Sequence, residues 1–528
     1  MISRLPGGLT LSQVLAVLLS GLLLTAAFPK FSQTYLLLIA LVPLFWALRG
    51  LSGRNAFLLG FINGLTNNLT LFYWIVYVTH VYGHLPLILG FAILLLLAAY
   101  LSLYRGFWAW GVSWGQRRGL NLLWWAPALW VALEFVQACL FTGFPWELLG
   151  YALYDCRLLV QLADLTGVYG LSFVIVLVNQ AIFCLLLTFG EAERRQRLQA
   201  LILTLIITGG TIAYGHFRVQ NIQRRAAQSP QLPVAVVQGN IEQGQKWNPE
   251  FQQATIDIYA ELTQQISRAQ PHLVIWPETA APFFFLREPQ MSRQVENIAQ
   301  QAQSYLLFGS PAFEFQESGE QKFYNRAYLL SPQGKVTGSY DKAHLVPYGE
   351  YVPLRRYFFF VGKMVPMVGD FASGPPGVVL STPKVDVGTL ICFESIFPEL
   401  SRAMAQNGAN LLVNITNDAW FGTTSAPYQH LSMAVLRAVE NRLSLARAAN
   451  TGFSAFIHPD GRIIWRSELF VATAESATLP LGPGNSFYSR FGNIFAYLCL
   501  GLVGLGLLAG GWRRNYQDFH CQGKNVRG

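Results

Sequence analysis

The sequence predicts a multi-span α-helical membrane bundle, with eight transmembrane helices, joined to an α/β layered domain. Three observations carry that expectation. Of 528 residues, 52% are hydrophobic and 12% charged, about half the roughly 25% charge usual in soluble domains. The apolar residues gather in long runs before about residue 217 and again near the C-terminus. Between these runs lies a block of ordinary composition in which β-rich runs alternate with helical stretches, the pattern of a layered α/β domain.

A segment needs about 20 mainly apolar residues to cross roughly 30 Å of hydrocarbon. Eight stretches qualify, near 9–28, 33–49, 56–78, 85–109, 122–141, 168–189, 198–216 and 491–512. The first reads as a retained helix, because Ala26-Ala27-Phe28-Pro29 offers no convincing cleavage site and further spans follow at once. The expected organisation is a seven-helix bundle over 1–217, a linker over 218–232, and a catalytic domain over 233–482. An eighth helix over 483–512 and a tail over 513–528 complete it. The linker is inferred from Gln, Arg and Ser without an apolar period.

Lys and Arg in short loops mark the cytoplasmic side. With alternating spans, Arg4, Arg49, Arg54, Arg117, Arg118, Arg194, Arg195, Arg197, Arg513, Arg514, Lys524 and Arg527 share one side. The opposite connections hold little beyond Lys30 and Arg157. Both termini are therefore expected in the cytoplasm and the polar domain outside, on the periplasmic face if the source is a bacterium. The net charge of +9 is largely this topology signal, so nucleic acid is not an expected partner. Cys139, Cys184 and Cys499 fall in apolar spans and Cys521 in the tail, leaving only Cys156 and Cys392 on the oxidising side. No disulfide is expected, since that pairing would consume the one cysteine placed to react.

Within the polar block, 233–238, 273–276, 305–309, 327–330, 385–391, 411–415 and 455–458 read as strands, several apolar throughout as in sheets buried on both faces. Helices are expected over 250–269, 292–302 and 430–446. Glu278 and Cys392 each follow a buried-looking strand, where open α/β sheets place ligand sites. With Lys342 they supply a base, a cation and a thiol. A thiol is only a few per cent ionised at neutral pH and needs a basic neighbour to attack a carbonyl. Glu278 can take the proton if an apolar pocket raises its pKa. Lys342 and the Phe393 backbone N–H can hold the oxyanion of an acyl-transfer intermediate. Composition alone favours the blander reading of a satisfied buried cysteine and two surface charges.

The motifs resemble those of the nitrilase, or carbon–nitrogen hydrolase, superfamily, which uses a Glu-Lys-Cys triad on an α-β-β-α sandwich. They are Gln238-Gly239-Asn240 with Trp247, Trp276-Pro277-Glu278-Thr279, the run 342–353 (KAHLVPYGEYVP), Cys392-Phe393-Glu394 and the run 416–422 (TNDAWFG). Set between the seventh and eighth spans, this domain resembles the membrane-embedded apolipoprotein N-acyltransferase family over essentially the whole chain. The resemblance implies Glu278 as base, Lys342 as oxyanion stabiliser and Cys392 as nucleophile, with Glu350 and Glu394 in support and Trp247 positioning substrate. Phe393 stands where the family often has Tyr, which leaves its N–H unchanged and removes only a hydroxyl. The implied reaction moves an acyl chain from a phospholipid, with phosphatidylethanolamine the expected donor, through a Cys392 thioester to the N-terminal amine of a diacylglyceryl apolipoprotein. Neither metal nor organic cofactor is implied, and a monomer is the simplest state. The alternative within the superfamily is a membrane-tethered amidase whose thioester is resolved by water. A transporter with an exported binding domain fits less well, because the spans hold few charges and no inverted repeat.

Two aromatic stretches, 281–286 (APFFFL) and 357–371 (YFFFVGKMVPMVGDF), either dip into the outer leaflet or fill protein core. Glu134 lies inside a span and needs a partner or a wet path there. His80 and His84 lack a third metal ligand, and Gly83 and Pro86 argue against a helix between them. His344 and His430 read as structural residues, and Asn417 and Asp418 as turn formers.

Overall fold

The computed structural model describes residues 8–187, 191–244, 246, 248–317, 319–351, 371–482 and 484–524. These divide into two compact units: residues up to Val76, Ile88–His216 and from Asn493 in the first, Tyr77–Leu87 and Phe217–Gly492 in the second.

In the first unit, helices occupy seven of the eight stretches expected to cross a membrane. Among the described residues five are long and apolar enough to do so, Leu87–Arg117, Leu122–Cys139, Val168–Leu186, Arg197–Gln228 and Ile494–Gly511. Leu11–Ala27 is apolar but shorter, and Gly53–Leu71 carries polar Asn63, Asn67 and Asn68. The stretch 33–49 departs from expectation, because it is not one helix. It forms a 3-10 turn at Thr34–Leu38 and a short helix at Val42–Ala47. Such a break is tolerable away from water only if its freed backbone groups find partners in the protein. They do: the Asn179 side chain donates to the Leu37 carbonyl at 2.6 Å and accepts from the Leu41 N–H at 2.8 Å, while the Ser20 hydroxyl donates to the Ala40 carbonyl.

The second unit is built on two six-stranded sheets. The first, in order β12-β1-β2-β3-β4-β5, contains β1 (Gln231–Gln238), β2 (Leu273–Ile275), β3 (Tyr305–Phe315), β4 (Gln321–Leu330), β5 (Val336–Asp341) and β12 (Thr473–Pro480). The second, β11-β10-β9-β8-β7-β6, contains β6 (Val379–Ser381), β7 (Asp386–Ile391), β8 (Leu411–Thr416), β9 (Ser444–Ala449), β10 (Ala455–Ile457) and β11 (Ile463–Arg466). The sheets meet through β1 with β9 and β5 with β6. Helices Pro249–Ser267 and Pro289–Ala302 cover the first sheet, and Pro398–Gln406 and Ala426–Asn441 cover the second, giving α-β-β-α layers.

All seven expected strands are present. The helix expected over 430–446 ends at Asn441, and Ser444–Ala449 is a strand. The Ala-rich run favours helix locally. It is nevertheless a fully buried central strand paired with β8 and β10, so tertiary packing overrides propensity. The expected linker 218–232 is also corrected, since the helix Glu191–Gln228 continues through most of it before β1 begins at Gln231. Buried Val219 and Ile222 supply a short apolar face one turn apart among residues that are good helix formers.

Tyr77–Leu87, expected within the bundle, groups with the second unit. The Tyr82 hydroxyl donates to the Ala419 carbonyl at 2.9 Å, and its ring meets Trp420 edge-on at 5.1 Å. The Tyr77 ring lies so close to Gly422 that a Cβ there would come within 2.5 Å of it. The TNDAWFG run is thus packed by residues more than 300 positions earlier in the chain.

Candidate active site

Glu278 follows β2 on a short loop fixed from below. Trp276 is fully buried, stacks on Tyr259 at 4.9 Å and donates its indole N–H to the Thr263 hydroxyl. The loop runs against Gly309 of β3, where a Cβ would lie 2.8 Å from the Glu278 Cα, so only glycine admits this approach. The Glu278 carboxylate is 7% exposed. Its Oε1 accepts from Asn325 Nδ2 at 2.8 Å and from Lys342 Nζ at 3.4 Å, and its Oε2 accepts from the Asn417 N–H at 3.0 Å.

Lys342 follows β5 and is 1% exposed. Its ammonium donates to Glu350 Oε1 at 2.9 Å as well as to Glu278. Burial alone disfavours a charged lysine, but Glu350 and Glu278 outweigh it and hold the pKa above the ordinary value. Asn325 bridges the two carboxylates, donating also to Glu350 Oε1 at 2.9 Å. A fixed cation therefore sits between two buried acids, one of them the expected base.

Cys392 is a free thiol, half-buried at the end of β7. Its φ of +52° is uncommon for a residue with a Cβ, and such strain persists only where the surroundings enforce it. They do so at its carbonyl, which accepts from the Ser395 hydroxyl at 3.1 Å and His430 Nε2 at 3.1 Å. Behind His430, its Nδ1 lies 2.9 Å from Asp418 Oδ1, and Arg447 donates to Asp418 Oδ2 at 2.7 Å. Burial opposes charge on Asp418, but Arg447 and His430 prevail and hold its carboxyl well below the usual range. Burial and the Glu278 charge push the Cys392 thiol up, only partly offset by Lys342. At neutral pH the sulfur is therefore a thiol that must lose its proton to a base.

Glu394 ties the parts together. Its Oε1 accepts from the Tyr340 hydroxyl at 2.8 Å and the N–H groups of Ala343 at 2.6 Å and His344 at 3.1 Å, while Oε2 accepts from Ile391 N–H at 2.7 Å. One fully buried carboxyl thus locks the turn after Lys342 to the turn carrying Cys392. Burial pushes this carboxyl up to about 7 against those bonds and Lys342. Phe393 packs edge-on against Phe397 at 5.2 Å, and the His344 ring lies 3.8 Å from that of Phe397. Burial and Lys342 lower the His344 pKa to about 4, so it is neutral at pH 7.

The structure brings the sequence candidates Glu278, Lys342, Cys392, Glu350, Phe393 and Glu394 into one unit, with Lys342 in direct contact with Glu278 and Glu350 and Glu394 bonded to the neighbouring backbone. Trp247 lies outside the described residues, as does 357–370 of the second aromatic stretch. In the first stretch Phe283 and Phe285 are core, each 2% exposed, whereas Leu286 is 52% exposed. Two residues and a three-residue brace were missed. Lys246 is fully buried and donates to the Glu278 carbonyl at 3.0 Å, and burial lowers its pKa to about 8. Asn325 lies in β4 next to Arg326 and three residues after Lys322, so it did not stand out as polar there. Asp418 and His430, read as a turn former and a packing residue, form with Arg447 a buried brace behind the nucleophile. Single polar residues scattered over 30 positions carry no local signal of that kind. In the second unit, His80 bonds the Leu85 carbonyl within Tyr77–Leu87, and in the first Glu134 accepts from the Trp130 indole and the Leu149 N–H.

Comparison with known proteins covers both units. Residues 20–181 match the family described as apolipoprotein N-acyltransferase N-terminal domain, and residues 233–480 match carbon-nitrogen hydrolase. The chain is 45% identical to the apolipoprotein N-acyltransferase of Geobacter metallireducens, over 92% of this chain and 93% of that one. It is 32% identical to that of Nitrosomonas europaea, over 89% and 91%. A crystal structure of an amidase from Nesterenkonia sp. aligns with 50% of this chain and 95% of its own at 21% identity, with a TM-score of 0.38.

Proposed function

The chain belongs to the apolipoprotein N-acyltransferase family, and on that premise we propose that Glu278, Lys342 and Cys392 carry out the acyl transfer. It is an acyltransferase of lipoprotein biosynthesis, with a phospholipid as acyl donor and a lipoprotein as acceptor, and it has several helices able to cross a membrane. The observation that carries the residue assignment is the contact of Lys342 with two buried carboxylates beside a strained, half-buried cysteine.

In the first half-reaction the Cys392 proton passes to Glu278 as sulfur attacks the donor's ester carbonyl. Lys342 and the Phe393 N–H take the developing oxyanion. The intermediate collapses, the ester C–O bond breaks, and Glu278 returns the proton to the departing lysophospholipid alcohol, leaving a thioester. In the second, the α-amine of the acceptor's diacylglyceryl-cysteine attacks the thioester and Glu278 takes the amine proton; the intermediate collapses to the amide as the C–S bond breaks, and Glu278 returns the proton to the departing Cys392 sulfur. Glu350 and Asn325 hold Lys342 and Glu278 in register, and Trp247 positions substrate. Phosphatidylethanolamine is the proposed donor and the monomer the proposed state.

The proposed topology has eight crossings, with both termini cytoplasmic and the 233–482 domain periplasmic. The one-sided distribution of loop Arg residues supports it, and the broken stretch 33–49 crosses inside the bundle, its backbone satisfied by Asn179 and Ser20.

Intact-protein mass spectrometry of the full chain with phosphatidylethanolamine tests the reading. One acyl adduct on Cys392 is expected, absent in Cys392→Ala and discharged by a diacylglyceryl peptide. An adduct retained in Cys392→Ala would refute the nucleophile, and discharge equally fast in water alone would favour hydrolysis.

A further inference from the structure

A second polar concavity lies wholly within the first unit, apart from the residues of the triad. Its cavity volume is about 60 Å³, several times the roughly 10–15 Å³ that a single water needs and enough for a small polar headgroup. Its walls include Phe72, Trp108 and Trp146, and its polar groups include Arg105 and Glu134. Both charges sit on apolar helices, Leu87–Arg117 and Leu122–Cys139. Ionisable side chains at such positions are costly and usually serve a pathway or a ligand.

Of the three charged residues that line it, Arg105, Glu134 and Glu147, the first two are arranged as a separated pair. The Arg105 guanidinium lies over the Trp130 ring, 4.1 Å from its centroid, and donates to Asn63 Oδ1 at 2.9 Å. The Trp130 indole N–H donates to Glu134 Oε1 at 2.9 Å, and the same oxygen accepts from the Leu149 N–H at 2.8 Å. Glu134 Oε2 is buried and makes no hydrogen bond of ordinary geometry among the described residues. Trp130 thus spaces a half-buried cation from a buried carboxylate, and among the described residues the two form no salt bridge. Were their role only mutual neutralisation, direct contact would serve better, because a separated pair leaves both charges poorly compensated. A cation and an acceptor oxygen held apart on one wall match a ligand with its own separated anion and cation. Planar guanidinium favours phosphate, and carboxylate favours ammonium. Aromatic walls suit the apolar glycerol and first acyl carbons.

We propose that this cavity binds the zwitterionic phosphate–amine headgroup of a phospholipid, with phosphate on Arg105 and the ammonium on Glu134. It is a lipid site additional to the catalytic residues, and it stands whether or not their assigned roles hold. The same phosphate chemistry could be met by free inorganic phosphate, which the experiment separates.

The test uses full-length Cys392→Ala in nanodiscs with a phosphatidylethanolamine carrying a diazirine near its glycerol, followed by peptide mapping after irradiation. Labelling is expected in peptides containing Tyr104–Arg105 or Trp130–Glu134, and to fall about tenfold in Arg105→Gln, the loss of one charge-assisted contact. Inorganic phosphate should not compete. In Glu134→Gln the preference for the amine-bearing probe over a phosphatidylmethanol probe should disappear. Equal labelling by a diacylglycerol probe, competition by inorganic phosphate, or label confined to residues 217–492 would overturn the proposal. So would undiminished labelling in a monodisperse Arg105→Gln. If that variant does not fold, Glu134→Gln decides, and an unchanged amine preference refutes the assignment.

Discussion

Glu394→Gln keeps the size of a fully buried side chain and removes one of its two acceptors. The native carboxylate accepts three bonds at Oε1, from Tyr340, Ala343 and His344, and one at Oε2, from Ile391. An amide can satisfy the first three with its oxygen, but its NH2 then faces the Ile391 N–H, donor against donor. A buried donor left unmade costs about 1–3 kcal/mol. Because that donor belongs to the residue preceding the nucleophile, the cost falls on the turn that holds Cys392. Acyl-enzyme formation should slow roughly tenfold to a hundredfold, read as the single-turnover rate of lysophospholipid release, with the protein still folded by its thermal transition. Tyr340→Phe is the control. It removes one bond of four and leaves the Ile391 contact intact, so its rate should fall less than about tenfold. A folded Glu394→Gln that acylates at the parent rate, or a Tyr340→Phe as slow as it, would refute the view that this carboxyl locks the two turns.

Other substitutions probe neighbouring contacts. Asn325→Leu removes the donor shared by Glu278 and Glu350, and acylation should fall at least about tenfold; a burst rate within twofold of the parent would mean the bridge is dispensable. Lys246 is held at about 8 instead of its ordinary 10.5, so between those values the unfolded chain binds the extra proton and stability should rise with pH. The gain is about 3 kcal/mol over the full window, and it should be missing from the melting temperatures of Lys246→Met between pH 8 and 10. A parallel pH profile in the two proteins would contradict the buried placement. Gly422→Ala puts a methyl 2.5 Å from the Tyr77 ring at a φ of +57° and should cost about 1–3 kcal/mol. Adding Tyr77→Ala should restore part of it, and no recovery would place Tyr77–Leu87 elsewhere.

Much of the candidate site was legible because its chemistry is written in short local runs. A strand that reads as buried, followed at once by Glu278 or Cys392, gives both the residue type and its place at a sheet edge. Glu350 and Glu394 came from motif resemblance, and their reasons are spatial. One shares Asn325 and Lys342 with the base, and the other spans two turns 50 residues apart. Lys246, Asn325 and the Asp418–His430–Arg447 brace were missed because the meaning of each polar residue lies in its partners. Phe283 and Phe285 were ambiguous for the same reason, since an aromatic run looks alike whether it meets lipid or core.

By itself the sequence determined the two-part organisation, the number and position of the apolar stretches, and the three residues offered as catalytic, because hydrophobicity, strand period and motif are properties of neighbouring residues. Only the tertiary structure decided that 33–49 is broken and 444–449 is a strand, since side chains from other elements satisfy one backbone and bury the other. It alone set Lys342 between two acids, held Cys392 at positive φ, and placed Tyr77–Leu87 against the TNDAWFG run. Those outcomes depend on contacts between residues up to several hundred positions apart, which no local pattern encodes.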